Sequence, residues 1–419
     1  MTLALTLTFI VLMLLAVPVG HALVIGSAVA VLWDGHLPLL IVVQQLFQQT
    51  QSFPMLALPF FMLAGSLMMG GRLGRELLDF ASEFMKRFTG GELMTTVVAA
   101  TVFGGVSGSA VANASALGPV LIPWQKKCGY PGALCAANIA TSAVIDILIP
   151  PSIPMILYSL ISGASVADLF IAGVLPGLLM AGGFIALCWW IAKHRGYKKT
   201  GTTIGKAKMI RLALKSSPAL IMPVWILIFM RFGIATPTEV AVLAVVYSIV
   251  LSLFFYKDLN WARFKEGMVE AGIATGVVML VIMGSAACGW LMTFDQVPTR
   301  FAAWVASTIK SPFFILMAMN VVLIIVGGPL DLPPALLLFG PIFLPLGASI
   351  GLDPVQLGLI MIINLGIGLY TPPIGTTLFI AASISKDSLD DVCKELWPFF
   401  VVAILVLLLI TYIPALTLY

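Results

Sequence analysis

Ser107, Ser109 and Asn113 stand in "GVSGSAVAN" in an apolar stretch with no charge near them. The same mixture recurs around "DILIPPS" (Asp146–Ser152), "GGPLDLPP" (Gly327–Pro334) and "GIGLYTPPIGTT" (Gly366–Thr377). A double proline removes two amide donors and stops a helix. Carbonyls freed there have no water to turn to in lipid, so they must be buried in protein or line a cavity. Together with Ser and Thr hydroxyls they make a hard-oxygen cage suited to a small cation such as Na⁺. Helix starts nearby carry partial positive charge and suit an anion. Asp146 and Asp331 are the two carboxylates at these breaks, and an intramembrane carboxylate reads first as functional. The alternatives are close helix packing for the small residues and helix capping for the aspartates. Glu239 and Glu270 read as interfacial or packing residues.

These residues sit in a chain of 419 residues that is 60% hydrophobic and 10% charged. Soluble domains are about a quarter charged, so the composition specifies an all-α, polytopic membrane protein without a sizeable soluble domain. Cys128, Cys135, Cys188, Cys288 and Cys393 are scattered among apolar neighbours and read as buried hydrophobes. His21, His36 and His194 are far apart, so neither a transition-metal site nor any other cofactor is expected. The motifs of ATP hydrolysis and of covalent catalysis are missing. An enzyme is therefore not expected, nor a nucleic-acid partner.

Apolar segments fall at 2–32, 53–69, 92–125, 131–162, 168–192, 216–232, 236–256, 266–292, 312–349, 354–384 and 397–418. Two of them, 92–125 and 312–349, are too long for one crossing and are broken by Gly or Pro. Read as re-entrant hairpins, with every other segment crossing once and the N-terminus inside, they leave 19 of the 22 Lys and Arg residues on the cytoplasmic side. Arg231, Arg300 and Lys310 remain outside, and the C-terminus is periplasmic. The basic run 193–215 then lies in the cytoplasm as a topology determinant against lipid headgroups.

A shift of 222 residues aligns "GPVLIP" (Gly118–Pro123) with "GPIFLP" (Gly340–Pro345), and Pro150–Pro151 with Pro372–Pro373. Eight positions are identical Gly or Pro between Gly104 and Gly177, where chance gives about one. Five crossings separate the two hairpins, an odd number, so the second must enter from the opposite face. Inverted repeats with discontinuous helices meeting near the midplane are a secondary-transporter architecture. The expected organisation is an N-terminal scaffold with an amphipathic arm (1–91) and a first repeat core (92–192: hairpin 92–125, broken helix 131–162). A basic linker with further scaffold helices follows (193–311), then a second repeat core (312–419: hairpin 312–349, broken helix 354–384, final helix).

"FGGVSGSAVANASALGPVLIPWQKKCGYP", "ILIPPSIPMILYS", "GLDPVQLGLIMIINLGIGLYTPPIGTTLFIA" and "SFPMLALPFFMLAG" resemble the large membrane subunit of tripartite ATP-independent periplasmic (TRAP) transporters. The resemblance spans nearly the whole chain. It implies a sodium-driven elevator transporter of the bacterial inner membrane, taking up carboxylates such as C4-dicarboxylates, sialic acid, keto acids or sugar acids. Its implied partners are a small four-helix membrane subunit, as a separate chain, and a periplasmic substrate-binding protein. One implied sodium site comprises Ser107, Ser109, Asn113, Asp146, Ile149 and Pro151. The other comprises Gly327, Asp331, Gly366, Gly368, Thr371 and Pro373. Ser107, Asn113, Thr376 and Arg300 are the expected substrate contacts. The family commonly has glycine where this chain has Asp146; the repeat partner, Gly368, keeps it. The alternative reading is a stand-alone carboxylate or anion symporter of the same plan with no binding protein.

Overall fold

The computed structural model describes residues 1–69, 71–197, 199 and 206–417. Part of the basic run expected in the cytoplasm, Lys198 and 200–205, lies outside the described residues. The described chain is helical, with no strand. Its N-terminal part comprises α1 (Thr2–Leu14), α2 (Val19–Asp34), α3 (Leu40–Thr50), α4 (Ala57–Met69) and α5 (Arg72–Met85). The first core has α6 (Gly91–Ser107), α7 (Ala110–Lys127), α8 (Gly132–Ser142), α9 (Ile153–Ser162) and α10 (Val166–His194). Next come α11 (Lys206–Arg231), α12 (Pro237–Val250), α13 (Trp261–Phe294) and α14 (Val297–Thr308). The second core has α15 (Pro312–Gly327), α16 (Leu332–Ser349), α17 (Pro354–Gly368), α18 (Thr376–Ser385) and α19 (Leu389–Tyr412).

Polar side chains fix many of the helix starts. Ser109, Ser152, Ser165, Asn260 and Ser388 each accept the amide three residues on, and Thr236 forms a reciprocal capping box with Glu239. Glu239 is thus a cap, a role its interfacial or packing reading did not name. Among the described residues, six helices are long and apolar enough to cross a membrane, α10, α13 and α19 among them. α5 is strongly amphipathic, and Glu76 on it pairs with Lys215 at 3.1 Å.

The two long, broken segments fold as hairpins. Gln125 near the end of α7 donates to the Glu92 carbonyl at the start of α6, at 2.7 Å, so both arms of the first hairpin begin and end together. At that end Lys126 donates to the Ser385 carbonyl at 2.9 Å, and Arg195 forms a two-pronged pair with Glu395. The base of the second hairpin lies at the other end. There Phe313 stacks on Tyr412 at 4.5 Å, Gln356 donates to the Ile410 carbonyl, and the Tyr158 hydroxyl donates to the Pro354 carbonyl at 2.7 Å. The hairpins therefore open toward opposite faces. Elements of the two cores fall in register at the 222-residue offset, with boundaries within four residues, and α5 falls on α14 in the same register. α14 packs along α16, a lateral helix that hydropathy alone did not reveal.

The expected single crossing by residues 2–32 is corrected. The amides of Leu15, Ala16 and Val17 turn back onto the end of α1, Pro18 supplies no amide, and α2 runs back along α1 so that Gly26 faces Leu5 and Phe9. Arms of 13 and 16 residues reach about 20–24 Å, short of the ~30 Å hydrocarbon. The Thr2 amide donates to Asp295 at 2.8 Å, at the turn from α13 to α14. Met1 therefore shares a face with Arg300, not with the basic loops, and that face also holds the end of α19 at Tyr412. The basic residues keep their common side, because a hairpin before α3 replaces one crossing and moves the N-terminus only.

Candidate functional site

Both helices with a double proline break near their middle. α8 ends in a tight turn over 143–147 and α9 restarts at Ile153; α17 ends at Gly368 and α18 restarts at Thr376. The carbonyls of Leu148 to Pro151 and of Tyr370 to Ile374 accept no hydrogen bond among the described residues. The flanking carbonyls do: Ser152 Oγ donates to Ile147 O at 2.6 Å, and Thr377 Oγ1 to Leu369 O at 2.9 Å. The freed set is thus narrowed to the prolines and their immediate neighbours. The two breaks adjoin, because Gly366 leaves room for Val144 and Ile147.

The first hairpin tip sits on the first break. Gly108 adopts φ +64°, and a Cβ there would lie 2.5 Å from the Pro151 carbonyl oxygen. The tip amides of Gly108 and Ser109 donate to the two oxygens of Asp146, each at 3.1 Å. Asp146 is 0% exposed and makes no salt bridge among the described residues. Gly104 makes room for it: a Cβ there would lie 3.0 Å from the Asp146 Cα. The Asn113 Nδ2 donates to Ala100 O at 3.2 Å, while its Oδ1 is buried without a donor. Ser107, Ser109, Asn113, Asp146, Ile149 and Pro151 are therefore brought together.

At the second break, Gly327 meets Gly368 backbone to backbone, with no room for a side chain. Asp331 opens α16 and is exposed. The Thr371 hydroxyl donates to Ile367 O at 2.7 Å. Gly366 faces the first break rather than the second hairpin. Thr376 has a buried hydroxyl without a partner and does not line the central cavity.

That cavity, about 800 Å³, joins the two halves. Its walls include Ser107 to Ala112 of the first tip, Asp331 to Pro333 of the second, and Ile153 and Pro154 at the start of α9. Three helix starts thus converge on one space, the arrangement that favours an anionic group. The opposite wall is α4 and α13, with Gly65, Ser66 and Glu270. Ser66 Oγ donates to the Glu270 carboxylate at 2.7 Å. The packing reading of Glu270 is corrected: it faces the cavity. Its place inside an apolar segment, one turn beyond Glu266, was the signal available. Arg300 does not line the cavity; it lies beside Asp295 on the face that holds Met1.

A family profile described as "Tripartite ATP-independent periplasmic transporter, DctM component" matches residues 6–416. The chain is 65% identical over 419 residues, the whole of both chains, to the uncharacterized protein y4mL of Sinorhizobium fredii. It is 33% identical to the C4-dicarboxylate TRAP transporter large permease protein DctM of Pseudomonas aeruginosa, over 89% of this chain and 87% of that one. Among solved structures, the YdaH transporter of Alcanivorax borkumensis superposes with a TM-score of 0.58 at 12% identity, over 88% of this chain and 86% of that one. At that identity the likeness is one of fold. The profile and the relatives place this multi-pass chain, with its two hairpins over two broken helices, among membrane permeases: it belongs to the DctM component family of the tripartite ATP-independent periplasmic transporters.

Proposed function

We propose that the chain is the transport subunit for sodium-coupled uptake of an organic acid across the bacterial inner membrane. The carrying observation is the convergence of two oppositely opening hairpin tips on one cavity, each tip beside a double-proline break with unpaired carbonyls. Sodium binds one site built from Ser107, Ser109, Asn113, Asp146, Ile149 and Pro151, and another from Gly327, Asp331, Gly366, Gly368, Thr371 and Pro373. Na⁺ is the coupling ion, carried as cargo. Oxygen-only ligation suits such a hard cation. The acid's carboxylate lies at the starts of α7, α9 and α16, at their positive ends, where Ser107 is the expected contact that lines the cavity; Asn113 is buried and does not line it.

The hairpins and broken helices move together as a carrier past the scaffold of α4 and α13, an elevator motion. The Gly65 backbone lies against the Val106–Ser107 backbone with no side chain between, a smooth contact over which such a carrier slides. The basic face is cytoplasmic, which puts Met1 and the end of α19 on the periplasmic face. A periplasmic binding protein delivers substrate there, and a small membrane subunit completes the scaffold.

Reconstitution in liposomes with the small subunit and the binding protein tests this reading. Uptake of a matched acid should require an inward sodium gradient and the binding protein. Equal uptake without sodium defeats the coupling. Equal uptake without the binding protein defeats the tripartite arrangement and leaves a stand-alone symporter.

A further inference from the structure

The two sodium sites of the proposed function differ in access to water, and that difference rests on one residue. In the first site, Asp146 is 0% and Asn113 1% exposed, and Leu148 to Pro151 are all buried. α10 covers that break: Gly173 and Gly177 leave room for Leu148 and Ile149. In the second site, Asp331 and Pro372 to Ile374 are exposed, and tip residue Pro329 is exposed beside them. Irregular backbone at membrane depth is tolerated where it lines water, so the exposed break is the wet one.

We propose that Asp146 is a positioning residue that latches the first hairpin tip over its ion, so that sodium exchanges with the open face through the second site while the first ion stays occluded. Each Asp146 oxygen accepts one tip amide, at 3.1 Å, and the side chains of Ser107 and Asn113 stand at the same carboxylate. The buried, donor-free Oδ1 of Asn113, beside that carboxylate, is the neutral ligand. An ion between these two oxygens leaves only if the tip lifts, and lifting breaks two charge-assisted hydrogen bonds at once. The second repeat cannot build this latch. Its corresponding position is Gly368, packed on the Gly327 backbone, and its carboxylate stands on the hairpin instead, at Asp331 in register with Ser109. Each site thus holds one carboxylate, on the broken helix in the first and on the tip in the second.

The test loads the purified full-length chain, in lipid nanodiscs, with radioactive sodium and follows release after dilution into sodium-free buffer. Two ions per chain should leave in two phases at least tenfold apart in rate. Asp146→Asn should speed the slow phase at least tenfold and leave the fast phase unchanged. Gly108→Ala leaves the carboxylate in place but pushes the tip off the Pro151 carbonyl, and should speed the same phase. Asp331→Asn should remove or weaken the fast ion alone. A single phase, a slow phase unchanged in both tip-side variants, or loss of the slow ion in Asp331→Asn overturns the latch. A correctly folded chain that binds no sodium overturns the coupling ion itself, a result distinct from any of these.

Discussion

The two hairpin-and-break units share length, register and the double proline, yet they are built for different jobs. The first is sealed: its tip lies on its own break, α10 and α4 cover it, and its carboxylate is wholly buried. The second is open: its tip and break face outward, and a glycine pair stands where the first unit holds its carboxylate. The hydrogen-bonded cores diverge in the same way. Asn138 in the first core donates to Leu93 O and accepts from Ser142, while its register partner in the second is Ile360. The second core instead runs a buried chain from Asn364 through Asn320 to Thr411. A repeat thus conserves what bends the backbone and frees the polar groups to specialise.

Exchanging residues between the units tests how deep that specialisation goes. The largest effect is expected from Gly368→Asp, which gives the second break the first unit's residue. Its Cβ would collide with the Gly327 backbone, and a carboxylate would be buried without a donor. A cost above about 4 kcal/mol is expected, seen as loss of a monodisperse peak in detergent. A well-folded variant would show that the glycine contact is not what separates the units. Next comes Asp331→Ser, which installs the residue found at Ser109. Losing a charged ligand should weaken sodium activation of uptake about 100-fold, or ~3 kcal/mol, whereas Ser109→Ala should cost no more than about tenfold. Equal effects would mean that the two tips contribute alike. Third, Asn138→Ile leaves the Ser142 hydroxyl without its acceptor and should lower stability by about 1–3 kcal/mol, measured as a fall in Tm with sodium dependence unchanged. The smallest change is expected for Asn320→Val, which copies Val98. Asn364 keeps Ile360 O at 2.7 Å and Thr411 keeps Leu407 O at 2.8 Å, so the loss should stay below about 1 kcal/mol.

The sequence carried the hairpins, their opposite entry and the breaks, because Gly and Pro act locally on the backbone and their spacing survives in an apolar background. The positions of Ser107, Asn113 and Asp146 followed from the same breaks. Contacts between distant segments were not legible. Glu270 reads as the second of two acidic residues at one end of a long apolar run until α4 brings Ser66 to it, and Arg300 reads as a free cation until α13 and α14 carry it away from the cavity. The first segment misled because hydropathy counts apolar residues and is blind to reversal. Residues 2–34 are as apolar as a crossing, and the turn at Leu15 to Pro18 has no charge to mark it.

That turn carries a consequence for the surrounding lipid. Leu14 and Leu15, 82% and 69% exposed, point their side chains outward at the end of a hairpin about 20–24 Å deep. The turn's amides of Leu15 to Val17 are bonded internally, while the carbonyls of Leu14 to Val17 accept no hydrogen bond among the described residues, so its rest in hydrocarbon carries a backbone cost. The hairpin therefore passes the midplane of the ~30 Å hydrocarbon but stops short of its far face. The molecule's footprint is wider on the side of Met1, and the far leaflet must bend inward beneath the turn to fill the space.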